Sequence, residues 1–338
     1  MTSISLVPLL IALLPTLVFL GALLYFDSYK LVSLRWVLII ILVGGLCAAI
    51  SYFINDAAAE ALGLSRLVLA RYVAPIIEEI IKALVLVFLL RTHRIGFLVD
   101  AAIFGFAVGA GFAIFENLYY LRVLPDAHIG VWIVRGFGTA IMHGGVTAMF
   151  AVIAAGLSET REHVGPGDLL PGLLLAVLTH SIYNHFFLAP ILSTMIIVAV
   201  LPVLSYVVIQ QSQYAVSRWL DVGFDADTQL LEILSSGEFT DSHIGQYLTS
   251  LQERFPGEVV VDMLCYLRLH KELALRAKGL LLMRENGFEV EIDEDVRDTL
   301  KEMKALQKSI GKTGQAAIQP FLRLSRKDLW QIYMLGQN

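Results

Sequence analysis

The chain has 338 residues, 57% of them hydrophobic and 16% charged, with a mean hydropathy of +0.71, values that exclude an ordinary soluble domain. Its formal net charge of -5 offers no basic stripe, so nucleic acid is not an expected partner. Two cysteines, Cys47 in an apolar run and Cys265 in a polar region, exclude a disulfide framework and a cysteine-based metal site.

Crossing the hydrocarbon core takes about 20 mostly apolar residues in helical form, and windows over 4–26, 36–55, 67–90, 97–121, 129–157, 169–188 and 190–211 qualify. The first has no charged residues before it and no Ala-x-Ala-like site after it, so it reads as a span and not as a cleaved signal. Ala189 and Pro190 separate the last two, which form a tight hairpin or include one re-entrant arm. None of the windows shows the period-two alternation of barrel strands. Lys30, Arg35, Arg91, Arg94, Arg161 and the region from Arg218 fall on one set of alternate loops, against Arg66 and Arg122 on the other. This bias predicts an extracytoplasmic N-terminus and a cytoplasmic C-terminus, as in a bacterial inner membrane. Arg71 and Arg135, just inside outer helix ends, are expected to snorkel to the interface.

After Gln211 the composition turns polar, and the runs 228–235, 242–254, 259–284 and 293–310 carry apolar residues at amphipathic helical spacing. The expected fold is all-α: a polytopic membrane bundle of about seven helices over 1–211, then a small helical cytoplasmic domain over 212–338. Gly311-Lys312-Thr313-Gly314 lacks the upstream glycine and preceding strand of a phosphate loop.

An ionisable side chain at mid-bilayer costs about 2.5 to 3.5 kcal/mol on insertion scales, so each one is a functional hypothesis. On the third window Lys82 follows Glu78 by four residues and Glu79 by three, one helical turn from each. One carboxylate can pair with the lysine and leave the other for chemistry. Pro75 is expected to kink the helix and free backbone groups beside it. The fourth window carries Gly105, Gly109 and Gly111, which suit close helix approach, then Glu116 and Asn117; Asp100 at its start reads as a helix cap. His143 stands alone on the fifth window. On the sixth, His180 and Asn184 share a face, while His185 points away and reads as interfacial. A single such residue is more often structural, but four windows each contributing an acid or imidazole favour one buried polar site.

Glu78-Glu79-x-x-Lys82, Phe112-x-x-x-Glu116-Asn117, an isolated His143 and His180-x-x-x-Asn184 together resemble the PrsW family of membrane proteases, relatives of the CAAX prenyl proteases and of the Aph subunit of gamma-secretase. The resemblance covers about residues 70–190. It implies cleavage of a membrane-anchored protein, typified by the first, extracytoplasmic cut in an anti-sigma factor. In the CAAX relatives the corresponding motifs supply a glutamate and a histidine that activate water, and a histidine and an asparagine that hold the oxyanion. Glu116 stands here where those relatives have histidine, which leaves room for a metal.

Peptide hydrolysis needs a base for water, an acid for the leaving amine and donors for the oxyanion. The primary assignment makes Glu78 the base, shaped by Glu79 and Lys82, with Glu116 and His143 orienting water beside Asn117, and His180 and Asn184 donating to the oxyanion; it requires no cofactor. The rival places zinc on Glu116, His143 and His180, with Glu78 as base. A proton-coupled transporter or a non-catalytic assembly subunit would also place polar groups in the membrane, but the inverted repeats common in transporters are not evident.

Overall fold

The computed structural model describes residues 6–161, 164–236, 239–288, 294–322 and 326–335, and all regular structure among them is helical. It divides into two compact units, Met1–Ser212 and Gln213–Asn338. The first contains α1 (Leu6–Phe26), α2 (Leu34–Leu62), α3 (Ala74–Arg91), α4 (Leu98–Val123), α5 (Ile129–Leu157), α6 (Pro166–His185) and the start of α7 (Pro190–Ser235). Five of these, α1, α2, α4, α5 and α7, are long and apolar enough to cross a membrane. The windows expected at 67–90 and 169–188 also fold as helices but stand outside that group. Glu78, Glu79, Lys82 and Arg91 interrupt the first, and the run from His180 to His185 dilutes the second.

Helix α4 is the axis of the unit, buried almost continuously from Val99 to Ala113. Its small residues permit this. A Cβ on Gly109 would overlap the His143 carbonyl of α5, and one on Gly111 would overlap the Ile41 carbonyl of α2. Both contacts are backbone against side-chain-free backbone, so three helices approach more closely than any larger residue allows. The first-turn carboxylate of Asp100 accepts from the Gly96 and Phe97 amides at 2.9 and 3.1 Å. Asp100 thus caps α4 from inside its first turn, with Phe97 at the N-cap itself. Between α1 and α2, Asp27 is buried and accepts from the amides of Leu31 at 2.7 Å and Val32 at 3.4 Å. Burial pushes its carboxyl up to about 6, against the pull of those amides.

The composition turns polar after Gln211, yet α7 continues unbroken to Ser235. No proline lies between 203 and 235, and a lone Gly223 weakens a helix without ending it. In the second unit α8 (His243–Leu251), α9 (Gly257–Glu285), α10 (Glu294–Leu322) and α11 (Arg326–Leu335) follow. Met263, Leu273, Ala274, Leu281, Ile318 and Trp330 form its interior. Asp227 is buried there between two ammoniums, 2.9 Å from Lys271 Nζ and bonded to Lys278 Nζ. Burial would raise its carboxyl, but those two hydrogen bonds hold it below the usual carboxylate range. Gly311, at φ 68°, kinks α10, so the Gly-Lys-Thr-Gly run marks a bend between helical segments.

Candidate active site

Two departures from α-helical geometry flank the polar cluster. Residues Leu69–Val73 form a π-helical turn that leads into α3, closed by the Ala74 amide on the Leu69 carbonyl. Pro75 has no N–H to offer and its ring cannot approach the carbonyl of Arg71, four residues earlier, which favours the wider turn. The carbonyls left over are satisfied from α6: Ser181 Oγ donates to Arg71 O at 2.6 Å and Asn184 Nδ2 donates to Ala70 O at 2.9 Å. The backbone groups freed by Pro75 therefore exist, and α6 closes them. A second π-helical turn, Val134–Thr139, interrupts α5. There a Cβ on Gly136 would overlap the Ile11 carbonyl of α1, and one on Gly138 would overlap the Tyr183 and Thr194 hydroxyls. Such turns recur at functional sites, and here each lies about one helical turn before a site residue.

The cluster itself is built on α3, α5 and α6. Glu79 Oε1 accepts from Lys82 Nζ at 2.5 Å and lies 2.7 Å from His180 Nδ1. All three side chains are at most 2% exposed, so charge must be matched inside the cluster. Lys82 pairs with Glu79, one turn before it, and Glu78 is left free of the lysine. A proton on His180 Nδ1 is held by the Glu79 carboxylate, which turns the Nε2 lone pair toward Glu78 Oε2, 3.9 Å away. His143 Nδ1 lies 3.2 Å from Lys82 Nζ, and its ring meets that of His180 edge to face at 4.7 Å. Lys82 also sits over the Phe112 ring, 4.6 Å from its centre.

Glu116 reaches the cluster from α4. Its Oε2 is 3.3 Å from His143 Nε2 and 3.2 Å from Arg135 Nη2. That oxygen is buried, so the guanidinium and the imidazole are what offset its charge. Arg135 donates from Nε to Asn117 Oδ1 at 2.9 Å and stacks over the Tyr120 ring. It therefore does not snorkel: burial beside an acid outweighs the interface for this guanidinium. Arg71 turns to the His185 carbonyl at 3.4 Å, and His185 is part-buried with Nδ1 2.7 Å from Ser181 O.

Glu78, Glu79, Lys82, Glu116, His143 and His180 thus form one cluster, while Asn117 and Asn184 stand beside it. Asn117 Nδ2 is bound to Ala12 O of α1 at 2.8 Å, and Asn184 caps the π-helical turn. Among the described residues the ligand atoms of Glu78, His143 and His180 lie within 4.8 Å of one another. Glu78 takes the place expected for Glu116 in that group, because Arg135 draws Glu116 aside. Two imidazoles and a carboxylate are the donor set of catalytic zinc sites, and His180 already has the carboxylate partner that ligating histidines use. The residues fit a divalent metal.

Two participants escaped the sequence reading. Arg135 lies just inside a helix end, where the interface is the expectation from sequence. Asn55, on α2, donates from Nδ2 to Glu78 Oε1 at 3.1 Å; an amide in an apolar window was the available signal.

No curated protein and no solved structure matches the chain. A family model described as PrsW family intramembrane metalloprotease matches residues 32–209, a stretch that holds every cluster residue and excludes α1 and all of the second unit. By that match over more than half its length, the chain belongs to the PrsW family of intramembrane metalloproteases.

Proposed function

We propose that the chain is a metal-dependent intramembrane endopeptidase acting on a membrane-anchored protein. The observation that carries this reading is the gathering of Glu78, His143 and His180 from three helices, with His180 Nδ1 tied to Glu79. Those three would hold a zinc-class ion, whose chemistry when bound is to polarise the scissile carbonyl and acidify water. Glu116, partly open with a side-chain exposure of 28%, takes the proton of the attacking water and passes it to the leaving amine. Arg135 keeps that carboxylate aimed between turnovers. Glu79 and Lys82 act behind the site, fixing the orientation of His180 and His143. Asn184, spent on the Ala70 carbonyl, supports the fold of the outer turn. The chain is further proposed to cross a cytoplasmic membrane seven times with its N-terminus outside, which puts the site within reach of an extracytoplasmic cut such as that in an anti-sigma factor. Residues 212–338 serve as a non-catalytic helical domain on the cytoplasmic side.

One observation favours a second, metal-free reading. With Lys82 as an ammonium donating to His143 Nδ1, the His143 proton resides on Nε2, and Glu78 becomes the base for water. Purified protein separates the two. The metal reading expects about one ion per chain, lost in His180→Ala, and cleavage abolished by a chelator and restored by zinc. Full cleavage by metal-free protein would sink it and leave the glutamate route.

A further inference from the structure

We infer that Asn55 is a positioning residue of the active site, acting through Glu78; the inference rests on the metal reading above. Asn55 lies on α2, directly after that helix's most apolar stretch and before Asp56 and Glu60, and it caps neither end of the helix. Its Nδ2 donates to Glu78 Oε1 at 3.1 Å, and only the amide nitrogen can face a carboxylate in this way. The orientation leaves Oδ1 buried with no hydrogen-bond partner. One helical turn earlier on the same face, the Ser51 hydroxyl is buried and unpartnered as well. An amide that leaves its own buried oxygen unsatisfied is held there by what its nitrogen does.

The consequence for Glu78 is geometric. Lys82 is committed to Glu79 and to His143, so Asn55 is the neutral donor that fixes the Glu78 carboxylate. By occupying Oε1 it directs Oε2 toward His180 Nε2. A neutral donor restrains the carboxylate without cancelling its charge, as a second ammonium would. Ligating carboxylates are characteristically hydrogen-bonded from behind, and loss of such a partner typically lowers metal affinity or activity about 10- to 100-fold.

Asn55→Leu removes the donor at nearly constant volume, and Asn55→Ser keeps a hydroxyl donor at shorter reach. The measurements, on full-length protein in detergent, are zinc affinity by chelator competition, kcat and KM for a membrane-anchored reporter, and the thermal transition. Asn55→Leu is expected to bind zinc about 10- to 100-fold more weakly, with kcat reduced at ordinary zinc, KM unchanged, and kcat recovered in excess zinc; Asn55→Ser should fall between it and the parent. Parental zinc affinity and kcat in Asn55→Leu would overturn the inference, as would a lowered thermal transition with neither changed, the signature of a packing role. If Asn55→Leu does not fold, Asn55→Ser decides by the same two readouts. If the parent protein itself binds no zinc and cleaves normally, the metal reading fails on its own, and kcat then judges Asn55: a loss supports positioning of Glu78, and no loss overturns it.

Discussion

Replacing Glu79 by glutamine removes one charge from a place where two other groups depend on it. Glu79 Oε1 is within 2.5 Å of Lys82 Nζ and 2.7 Å of His180 Nδ1, and Lys82 is fully buried. Breaking a buried pair by removing one partner costs about 3 to 5 kcal/mol, a shift of roughly 10²- to 10³-fold or more in the folding equilibrium at 1.4 kcal/mol per decade. Glu79→Gln should therefore lower stability by about that much and, through His180, weaken zinc binding about 10- to 100-fold. Adding Lys82→Met separates the two effects. Replacing both members of a buried pair with apolar or neutral groups is often close to neutral, so Glu79→Gln/Lys82→Met should regain most of the stability but not the activity. Stability is read from reversible unfolding in mixed micelles and activity from cleavage of a membrane-anchored reporter. A single mutant as stable as the parent, or a double mutant that recovers cleavage, would show that Glu79 serves the fold alone or serves nothing.

Gly109→Ala drives a Cβ into the His143 carbonyl, so it should cost about 1 to 3 kcal/mol and impair cleavage, whereas Gly21→Ala, which meets nothing within 4 Å, should do neither; thermal unfolding and turnover of the two proteins check this. Burial pushes the Asp27 carboxyl up to about 6 in the folded chain, from 3.8 for a free aspartate, so the folded state binds the proton more tightly and stability falls as pH rises through that window. Asp27→Asn should flatten this dependence between about pH 4 and 6 and leave the protein more stable than the parent near pH 7, by up to about 3 kcal/mol; parallel unfolding curves for both proteins would refute it. A chain ending after Arg218 should insert and still cleave a supplied substrate, and complete loss of turnover in a correctly inserted truncation would refute a non-catalytic second unit. A reporter active only in the cytoplasm should give signal when fused after Asn338, and silence there with signal from a periplasmic reporter would invert the proposed topology.

The polar cluster was legible because lipid makes polarity conspicuous: Glu78, Glu79, Lys82, Glu116, His143 and His180 stand out from windows that otherwise hold apolar and small residues. The three-residue step from Glu79 to Lys82 also anticipated a pair, although spacing alone gave Glu78 an equal claim. What decides between them is lateral, since His180 and Lys82 meet on Glu79 while Asn55 of α2 meets Glu78. One-dimensional spacing carries no information about which neighbouring helix faces which carboxylate. Arg135 was misread for the same reason, as its proximity to a helix end suggested the interface and its true partners lie on α4. The five apolar helices were evident from composition, but the unbroken α7 was not, because a change from lipid-like to water-like composition marks a change of solvent and not the end of a helix.

The π-helical turns have a bearing on how this chain tolerates change in length. Each holds one residue more than an α-helical turn would place in the same rise, so the segments on either side are rotated by about 100° relative to an uninterrupted helix. Deleting one residue within Val134–Thr139, where no proline follows, would let the turn tighten and leave the rotational phase of His143 intact. The same deletion between Ala140 and His143 would swing that side chain out of the cluster. Such a turn is thus slack in an otherwise fixed gearing, placed about one helical turn before the chemistry, where the chain can absorb a deletion without disengaging the site.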